Sequence, residues 1–274
     1  MRRRRPGQDL FGLFVSCSLY LVVNSVLILV ISALFVGGKP FDAGVGILTL
    51  CSLTAFVYIT DRLLVTDEDR INNPDRTALV EEYDTELLAV AVLLFVLFEL
   101  SILTTAVTPD AFGLLTLALG HVPLAVLAVY DKIKTATIPL DSLAVAFAWA
   151  YQIVYIFVFI AATPLDVFDS VVLFGCWFLI VFAGLEMRNV GDIEGDREAG
   201  KVTFACVLGA RVTKRLGIAL KTIGALVLTS VSGSLLVFGL LLVHLLSLRF
   251  YRTLEAIFRY QSPRADAVEA SPSD

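Results

Sequence analysis

Long apolar runs separated by short polar segments make up most of the chain, and their lengths indicate its architecture. A transmembrane helix needs roughly 17 to 25 consecutive, mostly apolar residues. Eight segments approach or reach that length: Phe11 to Val36, Val45 to Ile59, Leu87 to Val107, Phe112 to Val129, Leu143 to Ala161, Val167 to Leu185, Leu216 to Ser230 and Leu235 to Leu248. Only Ser230 to Ser234 separates the last two, so one long tilted helix is the alternative there. The pattern predicts an all-α, multi-pass transmembrane bundle of about eight helices.

Basic residues fall unevenly on the two sides of such a bundle. With Arg2 to Arg5 in the cytoplasm and eight crossings, only Lys39 of the 21 Lys and Arg residues lies in an outside loop. Because basic loops stay in the cytoplasm, we predict a cytoplasmic N-terminus. Merging the last two helices would move the tail arginines outside, so the charges favour two helices. No small-residue cleavage site follows the arginines, which predicts an uncleaved first helix and not a signal peptide.

The composition agrees with a membrane protein. Hydrophobic residues make up 58% of the chain and charged residues only 17%, whereas soluble domains carry about a quarter charged residues. A net charge of -5 leaves no basic patch for nucleic acid, so no such partner is expected. We predict a basic cytoplasmic N-terminus at 1–10, a single transmembrane domain at 11–250 and a cytoplasmic, largely disordered tail at 251–274.

Polar chemistry concentrates in two long cytoplasmic loops, after the second and sixth helices. The second of these loops runs from Arg188 to Lys201. If the sixth helix continues past Leu185, Asn189, Asp192 and Asp196 lie on one face at i, i+3 and i+7. Two like charges one turn apart repel each other, and a hard divalent cation such as Mg2+ relieves that repulsion.

The first long loop carries a similar acidic group. A helix continued through it places Asp61 and Glu68 on one face, with Asp69 beside them. Two carboxylate groups at two helix ends on the same membrane face predict bound Mg2+ ions, and those ions would hold a diphosphate. The alternative is that all of these are ordinary solvated loop acids.

Three motifs resemble the UbiA superfamily of intramembrane prenyltransferases. The segment Asp192 to Phe204 fits the family's second motif, DxxxD, often written DxEGDxxxGxxT. The segment Asp69 to Arg76 fits the end of the first motif, NDxxDxxxD followed by RxNxPxR. The segment Tyr130 to Lys134 looks like the tyrosine-and-lysine loop between the family's fourth and fifth helices. The resemblance therefore covers the chain from the second helix to the start of the seventh.

The chain departs from the family pattern in the first motif. Aligned backwards from Asp69, the family's Asn position holds Asp61, its first Asp holds Arg62 and its second Asp holds Val65. Only one of the three motif aspartates is in register. The family usually has nine helices, so the resemblance implies that the last helix is missing here.

The resemblance implies transfer of a prenyl group from a prenyl diphosphate to a lipophilic acceptor such as a quinone precursor, an ether lipid or another isoprenoid, with Mg2+ as cofactor. It implies Asn189 with the catalytic pair Asp192 and Asp196 as ligands of one metal. A second metal would be held by Asp61, Asp69 and Glu68. Candidates for direct contact with the diphosphate are Lys132, Lys134 and Arg197, although a basic residue in a cytoplasmic loop is more often plain positive-inside charge.

Residues inside the predicted helices complete the expectations. An allylic cation needs aromatic faces and a dry pocket, and Trp149, Tyr155 and Trp177 are the candidates, with packing as the alternative for each. Glu99 is either a base on the acceptor side or a partner for His121, and a structural hydrogen bond is favoured, since ionisable groups in a membrane are costly when unpaired. Three further polar residues are expected to form hydrogen bonds between helices: Asn24, Gln152 and His244.

Two other functions compete with the enzyme. Arg62 and Val65 in the first motif are consistent with a membrane binding or assembly protein that has lost catalysis. Several helices and the intramembrane Glu99 are consistent with a transporter. Against the transporter, the acidic residues concentrate at one membrane face and not at the midplane, and no internal repeat is evident.

Overall fold

The computed structural model of the protein describes residues 6–38, 44–65, 70, 74–104, 111–134, 138–161, 165–198 and 200–260. These residues are almost entirely helical and contain no β-strand, which confirms the all-α class. Their helices are α1 Pro6–Ser16, α2 Tyr20–Phe35, α3 Gly44–Leu63, α4 Pro74–Glu82, α5 Asp84–Leu103, α6 Ala111–Gly120, α7 Val122–Ala128, α8 Tyr130–Lys134, α9 Asp141–Tyr155, α10 Val167–Asn189, α11 Ile193–Glu198, α12 Phe204–Leu208, α13 Ala210–Ser232 and α14 Leu235–Tyr260. A π-helical turn, Ile156–Ile160, extends α9.

The described parts of all eight predicted segments are mostly helical, with turns inside the first and fourth. Within the described ranges, five spans are long and apolar enough to cross a membrane: α3, α5, α9 with its π turn, α10 and α13. Helices α1 and α2 meet at an angle of 58° and together form a sixth candidate span. Ser18 lies in this bend with a φ of 53°. The predicted tail begins inside α14, which stays helical to Tyr260; its remainder lies outside the described residues, as do Arg2 to Arg5.

The predicted fourth segment is broken at His121, between α6 and α7. Pro123 follows in the first turn of α7 and cannot donate a backbone hydrogen bond to the preceding turn. The His121 Nε2 atom lies 2.9 Å from Glu99 Oε1, and its Nδ1 lies 2.7 Å from the carbonyl oxygen of Leu117. The expected pairing of Glu99 with His121 is therefore confirmed, and it joins α5 to this break.

A large apolar core lies between α2, α9, α10, α13 and α14. Trp177 and Tyr155 are its largest fully buried side chains. Close approach of α13 to α10 depends on glycine: a Cβ on Gly217 would lie 2.5 Å from a Met187 side-chain carbon, and one on Gly224 would meet α10 at 2.9 Å. Small residues commonly allow such contacts in membrane helices. The outer face of α5 keeps many apolar side chains exposed, as expected of a surface that contacts lipid.

Candidate functional site

One cavity of about 190 Å³ lies where α3, α7, α8, α9 and α10 converge. The residues that line each long wall recur along the chain at helical spacing, either i, i+3, i+4 and i+7 or i, i+4 and i+8. Helix α3 contributes Leu53, Val57 and Asp61, with Tyr58 and Arg62 beside them. The α7–α8 segment contributes Pro123, Val126, Leu127 and Tyr130; α9 contributes Val145, Ala148, Trp149 and Gln152; and α10 with the turn after it contributes Leu185, Arg188, Asn189 and Asp192.

Five cationic side chains collect on one part of this lining, which we call the charged end. They are Arg62, Arg76, Lys134, Arg188 and Lys201, and the acids Asp61 and Asp192 accompany them. Arg62 and Arg188 lie in the last turns of α3 and α10, so helix ends position the charges. Among the described lining residues the cations outnumber the acids, which makes the charged end suited to a polyanion.

Asp61 lies among cations at the charged end. Its Oδ2 lies 3.3 Å from Arg62 Nη1, and its Oδ1 lies 3.9 Å from Lys134 Nζ. The Lys134 ammonium also lies 4.9 Å from the centre of the Tyr130 ring. The YDKIK segment therefore reaches the first acidic motif through Lys134.

The second acidic motif does not continue α10, so the expected single helical face through Asp196 is wrong. Helix α10 runs past Leu185 but ends at Asn189. Tight turns follow, in which the Asp192 N–H donates to the Asn189 carbonyl oxygen, 3.0 Å away. Helix α11 then begins, and Asp196 N–H donates to the Asp192 carbonyl oxygen at 2.8 Å. This change of direction leaves Asp192 facing the cavity and takes Asp196 away from it.

Asp196 is buried next to Lys201. Gly200 adopts a φ of 70°, a left-handed conformation that glycine allows without strain, and the chain turns back there. The Lys201 Nζ atom then lies 3.7 Å from Asp196 Oδ1 and 3.6 Å from Asp141 Oδ2 at the start of α9. The two carboxylates are 1% and 4% exposed. The DxxxD motif thus helps to hold a lysine that itself lines the cavity.

Hydrogen bonds to two neighbouring side chains hold Asn189 at the end of α10. The Asn189 Nδ2 donates to Ser142 Oγ at 3.2 Å and to Glu186 Oε1 at 3.4 Å. The other oxygen of buried Glu186 accepts the backbone N–H of Ala205 at 3.0 Å. Thr203, the threonine of the GxxT pattern, caps α12 by accepting the N–H of Cys206. These contacts join the end of α10 to α9 through Ser142 and to α12 through Ala205.

The cavity brings together part of the predicted site. Its lining includes the predicted residues Asp61, Lys134, Trp149, Asn189 and Asp192. Glu68 and Asp69 lie outside the described residues.

The other predicted site residues lie elsewhere. Lys132 is exposed, although it shares α8 with Lys134. Arg197 is exposed and donates to the Cys206 carbonyl oxygen at 3.1 Å. Tyr155 donates to the Thr116 carbonyl oxygen, and Trp177 donates to Ser32 Oγ at 2.9 Å, both within the packed core. Both aromatic side chains therefore pack in the core, which is the alternative stated for them.

Several lining residues were not among the predicted site residues. In the sequence, Arg188 and Lys201 indicate only cytoplasmic positive charge, and Arg62 occupies the position of the first motif aspartate. Tyr58, which also lines the cavity, precedes Asp61 by three residues and shares its helical face. Its ring stacks on Trp149 with centroids 6.3 Å apart. Residues three or four positions before a motif residue share its helical face. Applied to Asp61 and Asn189, this rule identifies Tyr58 and Leu185.

The donor set is compatible with Mg2+ held jointly with phosphate. Among the described residues, no three His, Cys, Asp or Glu side chains come together as a metal site. Mg2+ typically needs only one or two carboxylates when substrate phosphates supply further oxygens. Asp61 and Asp192 line the same cavity from different elements, which meets that requirement.

Helices long and apolar enough to span a membrane, with a cation-lined cavity between them, indicate an integral membrane protein. The model of the UbiA prenyltransferase family matches residues 14–270, so the chain belongs to that family. Membership confirms the resemblance and supports an intramembrane prenyltransferase as the general kind of protein. Comparisons with curated proteins and with solved structures give no match.

Proposed function

We propose that this protein transfers a prenyl group from a prenyl diphosphate to a lipophilic acceptor within the membrane, at a site facing the cytoplasm. The acceptor is a quinone precursor, an ether lipid or another isoprenoid. One observation carries the proposal: a single cavity joins a charged end lined by five cations to a wall of apolar and aromatic side chains. A prenyl diphosphate has the same two parts.

The charged end would bind the diphosphate. Diphosphate becomes a good leaving group only when its growing negative charge is stabilised as the carbon–oxygen bond breaks. Arg62, Arg76 and Arg188 offer planar guanidinium groups that suit phosphate oxygens. Lys134 and Lys201 add two further positive charges.

Asp61 and Asp192 would hold Mg2+ together with the diphosphate, and Asn189 would lie beside them. When bound there, the ion supplies neutralising charge to the phosphate oxygens. Asp61 already lies 3.3 Å from Arg62, and Arg62 occupies the position where the resemblance expects a metal-binding aspartate. We therefore assign Arg62 a direct role on the diphosphate, in place of part of the first metal site.

The apolar wall would receive the prenyl chain. Leu53 and Val57 lie two and one turns before Asp61 on α3, which places Leu53 roughly 12 Å from it along the axis. The stacked Tyr58 and Trp149 rings lie between these levels. Their faces attract a developing carbocation, and the apolar surroundings keep water from capturing it.

A binding or assembly protein without catalysis remains the second candidate. The observation in its favour is the Arg62–Asp61 ion pair, because it occupies one of the two cavity carboxylates. A transporter is less favoured, since the charged lining residues lie at helix ends and not at the midplane.

The test is transfer itself. Purified protein is incubated with Mg2+, labelled prenyl diphosphates of several chain lengths and a lipid extract, and the label is followed into lipid product. At a Mg2+ concentration just sufficient for full wild-type activity, we expect product with wild type and much less with Asp192→Asn. Arg211→Gln, at an exposed position at the start of α13, is the matched control and should retain activity. Binding of the diphosphate without any product would favour the second candidate.

A further inference from the structure

The cavity has a deep end, opposite the charged end, at Leu53 on α3 and Gln152 on α9. These are the lining residues of the two helices that lie farthest from the charged end. The Gln152 side chain forms no hydrogen bond among the described residues, so the expected bond to another helix is wrong. Leu53 lies eight residues from Asp61, and Gln152 lies seven residues from Val145, the first lining residue of α9. Two separate walls therefore give a depth of roughly 10–12 Å, at about 1.5 Å per residue.

Beyond the deep end, the lining faces of α3 and α9 come into direct contact. Gly46 lies seven residues before Leu53 and Ile156 lies four residues after Gln152, so each continues the face that lines the cavity. A Cβ on Gly46 would lie 2.5 Å from Ile156 Cγ2. Leu50, one turn before Leu53, is fully buried in the same core as Ile156. No room is left for a hydrocarbon chain between the two helices there.

Tyr155 closes another side of the deep end. It follows Gln152 by three residues on α9 and is almost completely buried. Its hydroxyl donates to the Thr116 carbonyl oxygen of α6 at 3.0 Å. A Cβ on Gly120 would lie 2.8 Å from Tyr155 Oη and 3.0 Å from Ile102 Cδ1. The phenol ring therefore fills the gap between α9, α5 and the end of α6.

The depth of the cavity determines how much prenyl chain it can hold. Each isoprene unit adds four bonds along the chain, and four carbon–carbon bonds of about 1.5 Å advance an extended chain by about 5 Å. A diphosphate at the level of Asp61 therefore leaves space for about two to three units before the chain reaches Leu53. A further unit would meet Tyr155 or the contact of Gly46 with Ile156, and forcing extra methylene groups into a packed core is unfavourable.

We propose that the donor is a short prenyl diphosphate, with about two or three isoprene units, and that Tyr155 sets this limit. The inference rests on the proposed function, because it assumes that the diphosphate binds at the charged end. Tyr155 is not part of the described lining. Its ring is the floor that the end of the hydrocarbon chain meets, which makes it a specificity residue for the donor.

Competition binding without an acceptor tests this limit. The probe is a radiolabelled thiolodiphosphate analogue with two isoprene units, which ionises slowly, bound to the protein in detergent with Mg2+. The competitors are unlabelled analogues with one to five units, and inorganic diphosphate measures binding of the head group alone. We expect affinity to rise up to three units, because each unit buries more apolar surface. It should fall at least about fivefold at four units, because the chain end then overpacks the floor.

Three variants locate the floor. Tyr155→Leu removes the ring and should move the optimum to four units or more. Tyr155→Phe keeps the ring, loses only the bond to Thr116 and should leave the optimum unchanged. Leu53→Phe adds volume at the deep end and should move the optimum to shorter chains without opening a void in the core.

The matched control is Tyr151→Leu. Tyr151 also lies on α9 and donates to a carbonyl oxygen of α6, that of Leu119 at 3.0 Å, but it is not part of the described lining. This variant loses a similar contact and should keep the wild-type dependence on chain length.

Two results would overturn the proposal. One is a wild-type affinity that does not fall beyond three units, as expected if the chain leaves the cavity sideways, or that no chain raises above that of inorganic diphosphate. The other is an unchanged dependence on chain length in both Tyr155→Leu and Leu53→Phe. Because no transfer step enters these measurements, a length limit stands even where the transfer assay fails, and its absence leaves the proposed transfer activity standing.

Discussion

Replacing Lys201 with methionine should strongly destabilise the protein. Its ammonium lies 3.6 Å from Asp141 Oδ2 and 3.7 Å from Asp196 Oδ1. Both carboxylates are almost completely buried, and the lysine side chain is 13% exposed. Methionine keeps much of the side-chain volume but removes the charge. Two buried carboxylates then lose a shared cation.

The size of the effect follows from these distances. At an effective dielectric constant of about 20, opposite charges near 3.6 Å attract by about 4–5 kcal/mol. Desolvation of the lysine and the mutual repulsion of the two carboxylates offset part of this attraction. Removing one partner of a buried ion pair typically costs about 3–5 kcal/mol. We expect a loss of that size, which lowers the unfolding midpoint by roughly 10 °C.

Thermal unfolding of the purified protein in detergent measures this loss. Lys201→Arg keeps the charge and should recover most of the stability. The double variant Asp196→Asn, Lys201→Met removes a carboxylate together with its cation, so it should lose less than the two single changes added. Lys214→Met, on an exposed lysine of α13, controls for loss of charge alone. An unchanged midpoint in Lys201→Met, or additive losses in the double variant, would refute this account of the buried cluster.

Three further predictions concern the cavity and the helix packing. Lys134→Gln should lower transfer at least tenfold, since one charge-assisted hydrogen bond contributes about 1.5–3 kcal/mol. The control Lys132→Gln, at an exposed position, should change transfer little. Equal effects of the two changes would contradict the assignment of Lys134 to the diphosphate. Asp192→Asn should raise the Mg2+ concentration needed for half-maximal transfer without lowering the unfolding midpoint, because Asp192 faces the cavity; an unchanged Mg2+ dependence counts against it. Gly224→Ala should cost about 1–3 kcal/mol of stability by overpacking, because its Cβ would lie 3.0 Å from a backbone carbonyl oxygen of α10. The control Gly239→Ala in α14 has open space around the new Cβ and should be neutral in the same thermal unfolding measurement.

Apolar periodicity was enough to predict the helical segments, whereas the predicted residues that line the cavity came from the acidic spacing, the resemblance and the aromatic pattern. A run of lipid-compatible residues has few alternatives to a helix, because the bilayer offers no partner for backbone polar groups. The ends of α3 and α10 then had to bring Asp61 and Asn189 to related positions. Lys134 and Trp149 were found through the resemblance and the aromatic pattern, and both line the cavity.

Contacts between distant segments could not be predicted in this way. The separation of Asp192 from Asp196 follows from the end of α10 at Asn189, which i, i+3 and i+7 spacing alone cannot reveal. Lys201 looked like ordinary positive-inside charge, because its two partners lie on other elements.

The most direct test of the central claim is an experimental structure of the protein with Mg2+ and a non-hydrolysable prenyl diphosphate analogue. The account predicts that the diphosphate contacts Arg62, Arg188 and Lys201, with the metal on Asp192 and the hydrocarbon chain running past Trp149. A diphosphate bound away from these cations, or a chain lying outside the cavity, would contradict it.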